Sequence, residues 1–187
     1  MGKIRVLLQP LGFIDEDILG YLRKGIEHVL KGLIVDISNR VIGIGSEFMN
    51  EKRGQYNSDL IIKFLAANLV GHGYHRVLGV LDADAYSGSL NFVFGEAYLN
   101  GPVAVIYLAR LRPEFYGEPS DEELFLERVL KEAIHELGHT FGLRHCPFRK
   151  CVMSFSNSIW DTDYKSYMPC GRCASRLMVY GIRALHL

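Results

Sequence analysis

Hydrophobic and polar positions follow two different periods along the chain, and the stretches with each period alternate. Apolar side chains recur every three or four positions from residue 15 to 30, which predicts an amphipathic helix (Ile18, Leu19, Leu22, Ile26, Val29 and Leu30). A second helix is expected from Asn57 or Ser58, either of which can cap it, to about residue 68. Short apolar runs predict strands at residues 3–9, 32–37, 40–44, 75–81, 91–98 and 102–109.

This alternation of strands and helices predicts the fold class. Strands that alternate with helices favour an α/β fold with three layers, α/β/α, around a mixed, mostly parallel sheet. The apolar runs at 75–81 and 102–109 suit strands that helices cover on both faces. We therefore expect one domain with a central sheet.

A third helix is predicted between residues 120 and 142. Ser120 and Glu123 form a capping-box pattern, and acidic residues in the first turn favour the helix dipole. A buried stripe follows (Leu126, Leu130, Ala133, Ile134, Leu137 and Phe141), and Gly142 should end the helix. About 30 residues without clear periodicity come next, and a short helix is expected from Ala174 to Leu185.

Composition and charge narrow the class of protein. The 187 residues are 49% hydrophobic and 22% charged, and 21 basic residues balance 21 acidic ones. This balance gives no support for a nucleic-acid or membrane partner. Gln9, Pro10 and Gly12 interrupt the first apolar run, which therefore fits a buried strand better than a signal peptide. We expect a cytoplasmic protein that acts as a monomer.

Residues 135–145, HELGHTFGLRH, fit H-E-x-x-H-x-x-G-x-x-H at every fixed position. His135 and His139 are four residues apart and share one helix face, so both can reach one Zn²⁺. Gly142 can turn the chain and return His145 as a third ligand, which leaves the fourth position open for water. Glu136 is placed to act on that water. A chance match is on the order of 1 in 10⁵, so solvated histidines on an amphipathic helix are the weaker interpretation.

The four cysteines all follow this helix. Cys146 and Cys151 form a C-x4-C pair, and Cys170 and Cys173 form a C-x2-C pair. This layout suits a closed structural zinc site with four thiolates. Two disulfides or four buried thiols are the alternatives, and a reducing cytosol favours the metal.

Taken together, these motifs resemble a known family. The histidine string resembles the metzincin zinc peptidases, whose Met-turn would correspond to Met153, eight residues after His145. The longer pattern HELGHTFGLRHC-x4-C-x-M…C-x2-C resembles the archaemetzincins. Residues 90–97, LNFVFGEA, and 109–111, ARL, are also similar to that family. The resemblance covers residues 76 to 173.

The resemblance implies roles for the motif residues. His135, His139 and His145 would bind a catalytic zinc, Glu136 would be the general base, and Met153 would lie beneath the metal. The four cysteines (Cys146, Cys151, Cys170 and Cys173) would bind a second, structural zinc. Residues 1–142 would form an upper α/β subdomain with the zinc helix, and residues 143–187 a lower one with the Met-turn and the cysteine site.

One position departs from the wider metzincin pattern. Some metzincins carry a tyrosine two residues after the methionine, and here that position is Phe155, which cannot donate a hydrogen bond. Tyr164 or Tyr167 could substitute, although exposed loop tyrosines are the simpler interpretation of both.

The expected function is hydrolysis of peptide bonds by a zinc-bound water that Glu136 activates. A peptide or protein substrate could add as a strand along an exposed sheet edge, for which residues 90–99 are the candidate. That segment could equally be an ordinary strand in which Phe92 and Phe94 pack. Two alternatives remain: a zinc-stabilised peptide-binding protein without turnover, and a zinc aminopeptidase, which needs an acidic residue for the free amine.

Overall fold

The computed structural model of the chain describes residues 3–187, which form two sheets and five α-helices. In chain order the strands are β1 (Ile4–Leu11), β2 (Leu30–Lys31), β3 (Leu33–Ile37), β4 (Met49–Asn50), β5 (Gln55–Asn57), β6 (Arg76–Leu81), β7 (Ala85–Tyr86), β8 (Gly95–Ala97), β9 (Val103–Tyr107) and β10 (Arg183–Ala184). The α-helices are α1 (Glu16–Val29), α2 (Ser58–Leu69), α3 (Glu122–Thr140), α4 (Ile159–Tyr164) and α5 (Gly171–Leu177).

The main sheet has seven strands in the order β10-β2-β3-β1-β6-β9-β8. The five inner strands, β2, β3, β1, β6 and β9, run parallel to one another. The two edge strands are antiparallel to their neighbours, β10 to β2 and β8 to β9. This confirms the predicted mixed, mostly parallel sheet. A small second sheet has the order β4-β5-β7.

Helices cover both faces of the main sheet and complete three layers. Val6 and Leu8 of β1 pack in the same core as α1 and α3, whereas Leu7 and Leu11 pack in the core that contains α2. Successive side chains of a strand point to opposite faces, so a central strand with two covered faces needs a continuous apolar run. That requirement explains why β1, β6 and β9 were recognisable from the sequence.

The structure corrects the predicted start of α3. The side chain of Asp121, and not that of Ser120, caps this helix by accepting a hydrogen bond from the Leu124 backbone N–H at 2.9 Å. Asn57 caps α2, one of the two residues considered. Helix α3 ends at Thr140, and Gly142 follows it with a φ of 78°.

Two other predicted elements are wrong. Residues 40–44 do not form a strand; Ile42 makes a single β-bridge with Leu11. The predicted helix at 174–185 begins earlier and stops at Leu177, and a short 3₁₀ turn at Met178–Tyr180 follows it. Gly181 then adopts a φ of 76°, which turns the chain so that β10 can pair with β2.

The predicted strand at 91–98 shortens to β8, which occupies one edge of the main sheet.

None of the helices described within residues 3–187 combines the length and apolar character needed to cross a membrane.

Candidate active site

Helix α3 and the bend after it bring three histidines together. His135 and His139 lie one turn apart, with 3.0 Å between their Nε2 atoms. His145 joins them from the following segment, and one ring nitrogen of each histidine lies within 4.8 Å of those of the other two. Zn–N bonds of about 2.1 Å in a tetrahedral site separate ligand nitrogens by about 3.4 Å, so the three imidazoles fit a single zinc ion.

The bend that returns His145 depends on Gly142. The backbone N–H of Leu143 donates to the carbonyl oxygen of Gly138 at 3.1 Å, and that of Gly142 donates to the carbonyl of His139 at 2.9 Å. A left-handed residue at this position closes the end of a helix, and glycine adopts that conformation without strain. The chain therefore leaves the helix sharply and passes back over the face that carries the histidines.

Backbone carbonyls orient two of the imidazoles. Nδ1 of His135 lies 2.7 Å from the carbonyl oxygen of Val152, and Nδ1 of His139 lies 2.6 Å from that of Leu143. A carbonyl only accepts, so each Nδ1 carries the hydrogen and each Nε2 keeps its lone pair for a metal.

The protonation of the histidines also suits metal binding. Burial lowers the pKa of His135 well below its ordinary value, and it lowers the pKa of His139 to about 4. Burial lowers the pKa of His145 as well, and the positive charge of Lys165 acts in the same direction on all three. Neutral imidazole is the form that binds zinc, so the site is ready for the metal at neutral pH.

Glu136 is buried beside the first histidine and lines the same cleft. Burial raises its pKa well above the ordinary carboxyl value; the negative charges of Glu132 and Glu96 add to the rise, and Lys165 opposes it. The carboxylate lies directly against edge strand β8, because a Cβ added to Gly95 would stand 2.6 Å from Glu136 Cγ and 2.7 Å from its Oε1. A carboxylate with a raised pKa can accept a proton and hold it.

The cleft over these residues has a volume of about 810 Å³. One wall is formed by residues 89–97, including β8, and another by the segment 155–157. Phe92 and Phe94 pack edge to face with 5.1 Å between ring centroids, and both also line the cleft. The guanidinium of Arg110 lies 4.4 Å from the centroid of Phe92, so the two shorter stretches that resemble the archaemetzincins are in contact.

Met153 is fully buried beneath α3. A Cβ added to Gly138, which lies between the two helical histidines in the sequence, would overlap Met153 Sδ. The thioether therefore packs directly against the helix backbone below the histidines.

The four cysteines form a second cluster. All are free thiols, and their Sγ atoms lie within 4.8 Å of one another. Cys146 Sγ and Cys170 Sγ are 3.8 Å apart, which matches the spacing of about 3.8 Å that tetrahedral Zn–S bonds of about 2.3 Å require. Burial opposes ionisation of Cys170, but hydrogen bonds, first from the Cys173 backbone, lower its pKa to about 7. The donor set therefore fits a closed zinc site.

Hydrogen bonds join the two clusters. The backbone N–H of Cys146, the residue after His145, donates to the carbonyl of Met153 at 2.8 Å. Val152, whose carbonyl orients His135, follows Cys151 directly and donates its own N–H to Met168 at 3.0 Å. The loop from Cys146 to Met153 thus belongs to both sites.

Several residues of the cleft were missed in the sequence. Glu132 lines it one turn before Glu136 and is held by Lys165; Ser156 and Asn157 line the facing wall. Glu132 is a charged residue on the buried side of α3, which could have marked it in the sequence. Its partner, Lys165, follows 33 positions later, and no local pattern connects the two.

The tyrosines considered as substitutes lie elsewhere. Phe155 is half-exposed and its ring contacts His145 at 5.0 Å between centroids. Tyr164 packs under the cations of Arg149 and Lys150, and Tyr167 is partly buried against the main core. Within residues 3–187, neither tyrosine lines the cleft.

Comparison with known proteins gives a consistent family. The sequence profile of peptidase family M54 matches residues 24–179. The archaemetzincin of Methanocaldococcus jannaschii is 46% identical over 179 residues, which cover 96% of each chain. The crystal structure of the archaemetzincin of Methanopyrus kandleri is similar with a TM-score of 0.82 and 36% identity, and covers 94% of both chains.

The crystal structure of the archaemetzincin of Archaeoglobus fulgidus, solved in complex with malonate, has a TM-score of 0.78 and 35% identity over 92% of this chain and 99% of that one. The fold, the histidine and cysteine clusters and the similarity over almost the full length agree. The chain belongs to peptidase family M54, the archaemetzincins, and is a zinc metallopeptidase.

Proposed function

We propose that the chain hydrolyses peptide bonds with His135, His139 and His145 holding a catalytic zinc and Glu136 acting as general base. The observation that carries this proposal is the convergence of three neutral imidazoles beside one buried carboxylate. Metal binding alone needs only the histidines. The buried Glu136, whose burial is unfavourable for a charge, therefore favours turnover over simple zinc-stabilised peptide binding.

Zinc bound at this site would supply positive charge that acidifies a water molecule and polarises the substrate carbonyl. Glu136 accepts the proton of the attacking water at a carboxylate oxygen. The raised pKa lets Glu136 hold that proton until it passes to the nitrogen of the leaving amine. Phe94 and the buried face of α3 limit the access of bulk water to this carboxylate.

The substrate lies along β8 as an added antiparallel or parallel strand. The position of β8 at the edge of the sheet supports this binding mode, since the outer side of an edge strand offers backbone donors and acceptors. Phe92 and Phe94 stabilise that wall and present aromatic surface to the cleft.

Cys146, Cys151, Cys170 and Cys173 hold a second, structural zinc. Residues 143–187, which carry this site and the Met153 turn, form a lower subdomain beneath the upper subdomain of residues 1–142. Four reduced thiols around a metal require a reducing compartment, which supports a cytoplasmic location. One chain supplies all three histidines and Glu136, which supports action as a monomer.

The Glu136→Gln substitution tests the proposed reaction. Amide and carboxylate have nearly the same shape, but the amide accepts no proton at neutral pH, so turnover of a quenched fluorescent peptide should fall by about 10²–10⁴-fold. Bound zinc, measured by atomic emission, should remain at the wild-type level. The matched control Glu123→Gln changes an exposed glutamate of the same helix and should keep full activity. Loss of zinc from the Glu136→Gln protein would contradict the assigned role.

One observation favours aminopeptidase action as a second candidate. Glu96 lines the cleft, and its buried Oε2 makes no hydrogen bond of ordinary geometry among residues 3–187, although the hydroxyls of Ser58 and Ser87 lie near the carboxyl group. A substrate α-ammonium group could satisfy that oxygen. Comparing peptides with free and acetylated amino termini separates the two modes, because cleavage of the acetylated peptides at internal bonds supports the endopeptidase.

A further inference from the structure

A buried ion pair lies beside the cleft, which Glu132 lines. The Nζ of Lys165 lies 2.9 Å from Oε1 of Glu132, and the two side chains are only 1% and 4% exposed. The hydroxyl of Thr162 donates to the same carboxylate oxygen at 3.2 Å. Glu132 belongs to α3, whereas Lys165 follows α4, so the pair joins the zinc helix to the C-terminal segment.

Holding these elements together does not account for the pair. Removing two charges from water is unfavourable enough that apolar residues of the same volume often stabilise a fold equally well. A second buried cation of α3, Arg128, already binds α4 through both oxygens of Asp163, each at 2.7 Å. A further charged pair therefore adds little to the stability of this junction. The position of Glu132 in the cleft points instead to a role in substrate binding.

Polar residues line part of the cleft together with Glu132. Ser156 lines the same cleft, and its Oγ is enclosed without a hydrogen-bond partner in the described part of the chain. Asn157 lies next to it. The wall that contains the edge strand carries the aromatic rings of Phe92 and Phe94. Buried polar atoms are normally paired, so the unpaired hydroxyl in the same cleft as a fixed carboxylate indicates that a bound molecule completes the hydrogen bonds.

We propose that Glu132, oriented by Lys165, determines substrate specificity by accepting a hydrogen bond from a substrate side chain next to the scissile bond. The side chain is an uncharged donor, that is, Asn, Gln, Ser or Thr. Lys165 disfavours a bound cation and Glu132 disfavours an anion, while the Glu132 carboxylate and the unpaired Ser156 hydroxyl can still form hydrogen bonds with uncharged polar groups. This inference rests on the proposed peptidase function.

Cleavage profiling of a peptide library tests the proposal on the wild-type protein. At one of the two positions that flank the scissile bond, uncharged donors should be preferred over Leu by about tenfold, the effect of one hydrogen bond to a charged group. The double variant Glu132→Leu with Lys165→Met replaces both charges together, so no unpaired charge is buried. Its profile should change to Leu or Met at that position and stay unchanged at the others.

A matched control removes another ion pair outside the cleft. Arg5 and Asp36 lie 2.9 Å apart on β1 and β3, and the double variant Arg5→Gln with Asp36→Asn should keep the wild-type profile. A wild-type preference for large apolar residues at both flanking positions would overturn the proposal. A donor preference that survives in the Glu132→Leu, Lys165→Met protein would overturn it as well.

Binding without turnover separates this proposal from the proposed reaction. In a Glu136→Gln background, fluorescence anisotropy should show that a peptide with Gln at the selected position binds about tenfold more tightly than its Leu analogue. Equal affinities would reject the role of Glu132 even if the peptidase reaction is correct. Tighter binding of the Gln peptide, together with no cleavage by the wild-type protein, would reject the reaction and keep the specificity. Both measurements apply even if the double variant does not fold.

Discussion

At the scale of single residues, Gly95 controls the position of the Glu136 carboxylate. An added Cβ would stand 2.6 Å from Cγ of Glu136, and no other glycine of the described chain meets the proposed base. In Gly95→Ala, Glu136 must rotate away from the edge strand. We expect turnover to fall by at least about tenfold, while bound zinc stays constant, because a displaced base loses alignment with the water that it deprotonates. Turnover of a fluorescent peptide and metal analysis measure both quantities.

A double-mutant comparison shows whether this steric contact is the cause. Alanine at position 136 has no Cγ, so adding Gly95→Ala to a Glu136→Ala protein should leave the melting temperature unchanged or raise it slightly. The same Gly95→Ala change in the wild-type background should lower the melting temperature, because overpacking typically lowers the free energy of unfolding by about 1–3 kcal/mol. Equal effects in the two backgrounds would mean that Gly95 acts through another neighbour.

Predictability from the sequence differs between these residues for a physical reason. His135 and His139 follow a helical period, Glu136 is next to His135, and Gly142 allows the bend that returns His145. The cysteines cluster in short spacings, so chain geometry alone brings much of each set together. Gly95 of β8 contacts Glu136 of α3, and Glu132 of α3 contacts Lys165, which lies far away in the sequence. Such contacts depend on how elements pack, which a single sequence does not specify.

At the scale of elements, the contact between α3 and the turn at Met153 sets the floor of the histidine site. In Gly138→Ala, the new methyl group would overlap Met153 Sδ and also approach its Cε at 3.1 Å. Alanine is the better helix former by about 1 kcal/mol, but overpacking typically destabilises by about 1–3 kcal/mol, so the substitution should lower the melting temperature. Calorimetric scanning of the zinc-loaded protein measures the shift.

The sign of this effect should reverse when the methionine is removed. Met153→Ala leaves a space below the helix, and Gly138→Ala in that background should raise the melting temperature, since only the helix preference remains. A decrease of similar size in both backgrounds would show that Gly138 is required for a reason other than Met153.

Elements with a continuous or strongly periodic apolar pattern were predicted well, and those whose ends depend on local hydrogen bonds were not. Helix α1 and strands β1, β6 and β9 lie close to their predicted bounds. Their side chains pack between the layers of the fold, so the apolar pattern extends over nearly the whole element. The start of α3 depends on whether Ser120 or Asp121 reaches an N–H group, and both are good caps. The end of α5 depends on Gly181 and on a pairing with β2 that lies far away in the sequence.

At the scale of the whole molecule, the three-layer arrangement places the cleft between the edge strand β8, helix α3 and the C-terminal segment. Alternating strand and helix patterns predicted the layers. Residues 90–99 were the candidate for an exposed sheet edge, and β8 does lie at the edge. The order of the strands comes from long-range pairing, so the shape of the cleft could not be predicted. The proposed function needs this larger arrangement, because the histidines would bind the metal and β8 would position a peptide beside it.

The whole molecule also couples the two proposed metal sites, because one loop carries proposed ligands or supporting groups of both. Cys173 lies on α5, far along the chain from the histidines, and Cys173→Ser removes one of the four thiols without touching the loop from Cys146 to Met153. We expect this variant to lose the structural metal. The loop should then hold Val152 and His145 less firmly, so affinity for the catalytic zinc should fall by about 10–100-fold, the usual effect of losing support behind a ligand. Competition with a fluorescent chelator measures the affinity.

Ser175→Ala is the matched control, since Ser175 lies two residues further along the same helix with an exposed side chain. It should bind two zinc ions per chain, as the wild-type protein is expected to do, with unchanged affinity at both sites. A Cys173→Ser protein that binds one zinc ion as tightly as the wild-type catalytic site would show that the histidine site is independent of the cysteines. A combined loss would instead mean that the lower subdomain folds around its own metal and so presents His145 to the zinc helix.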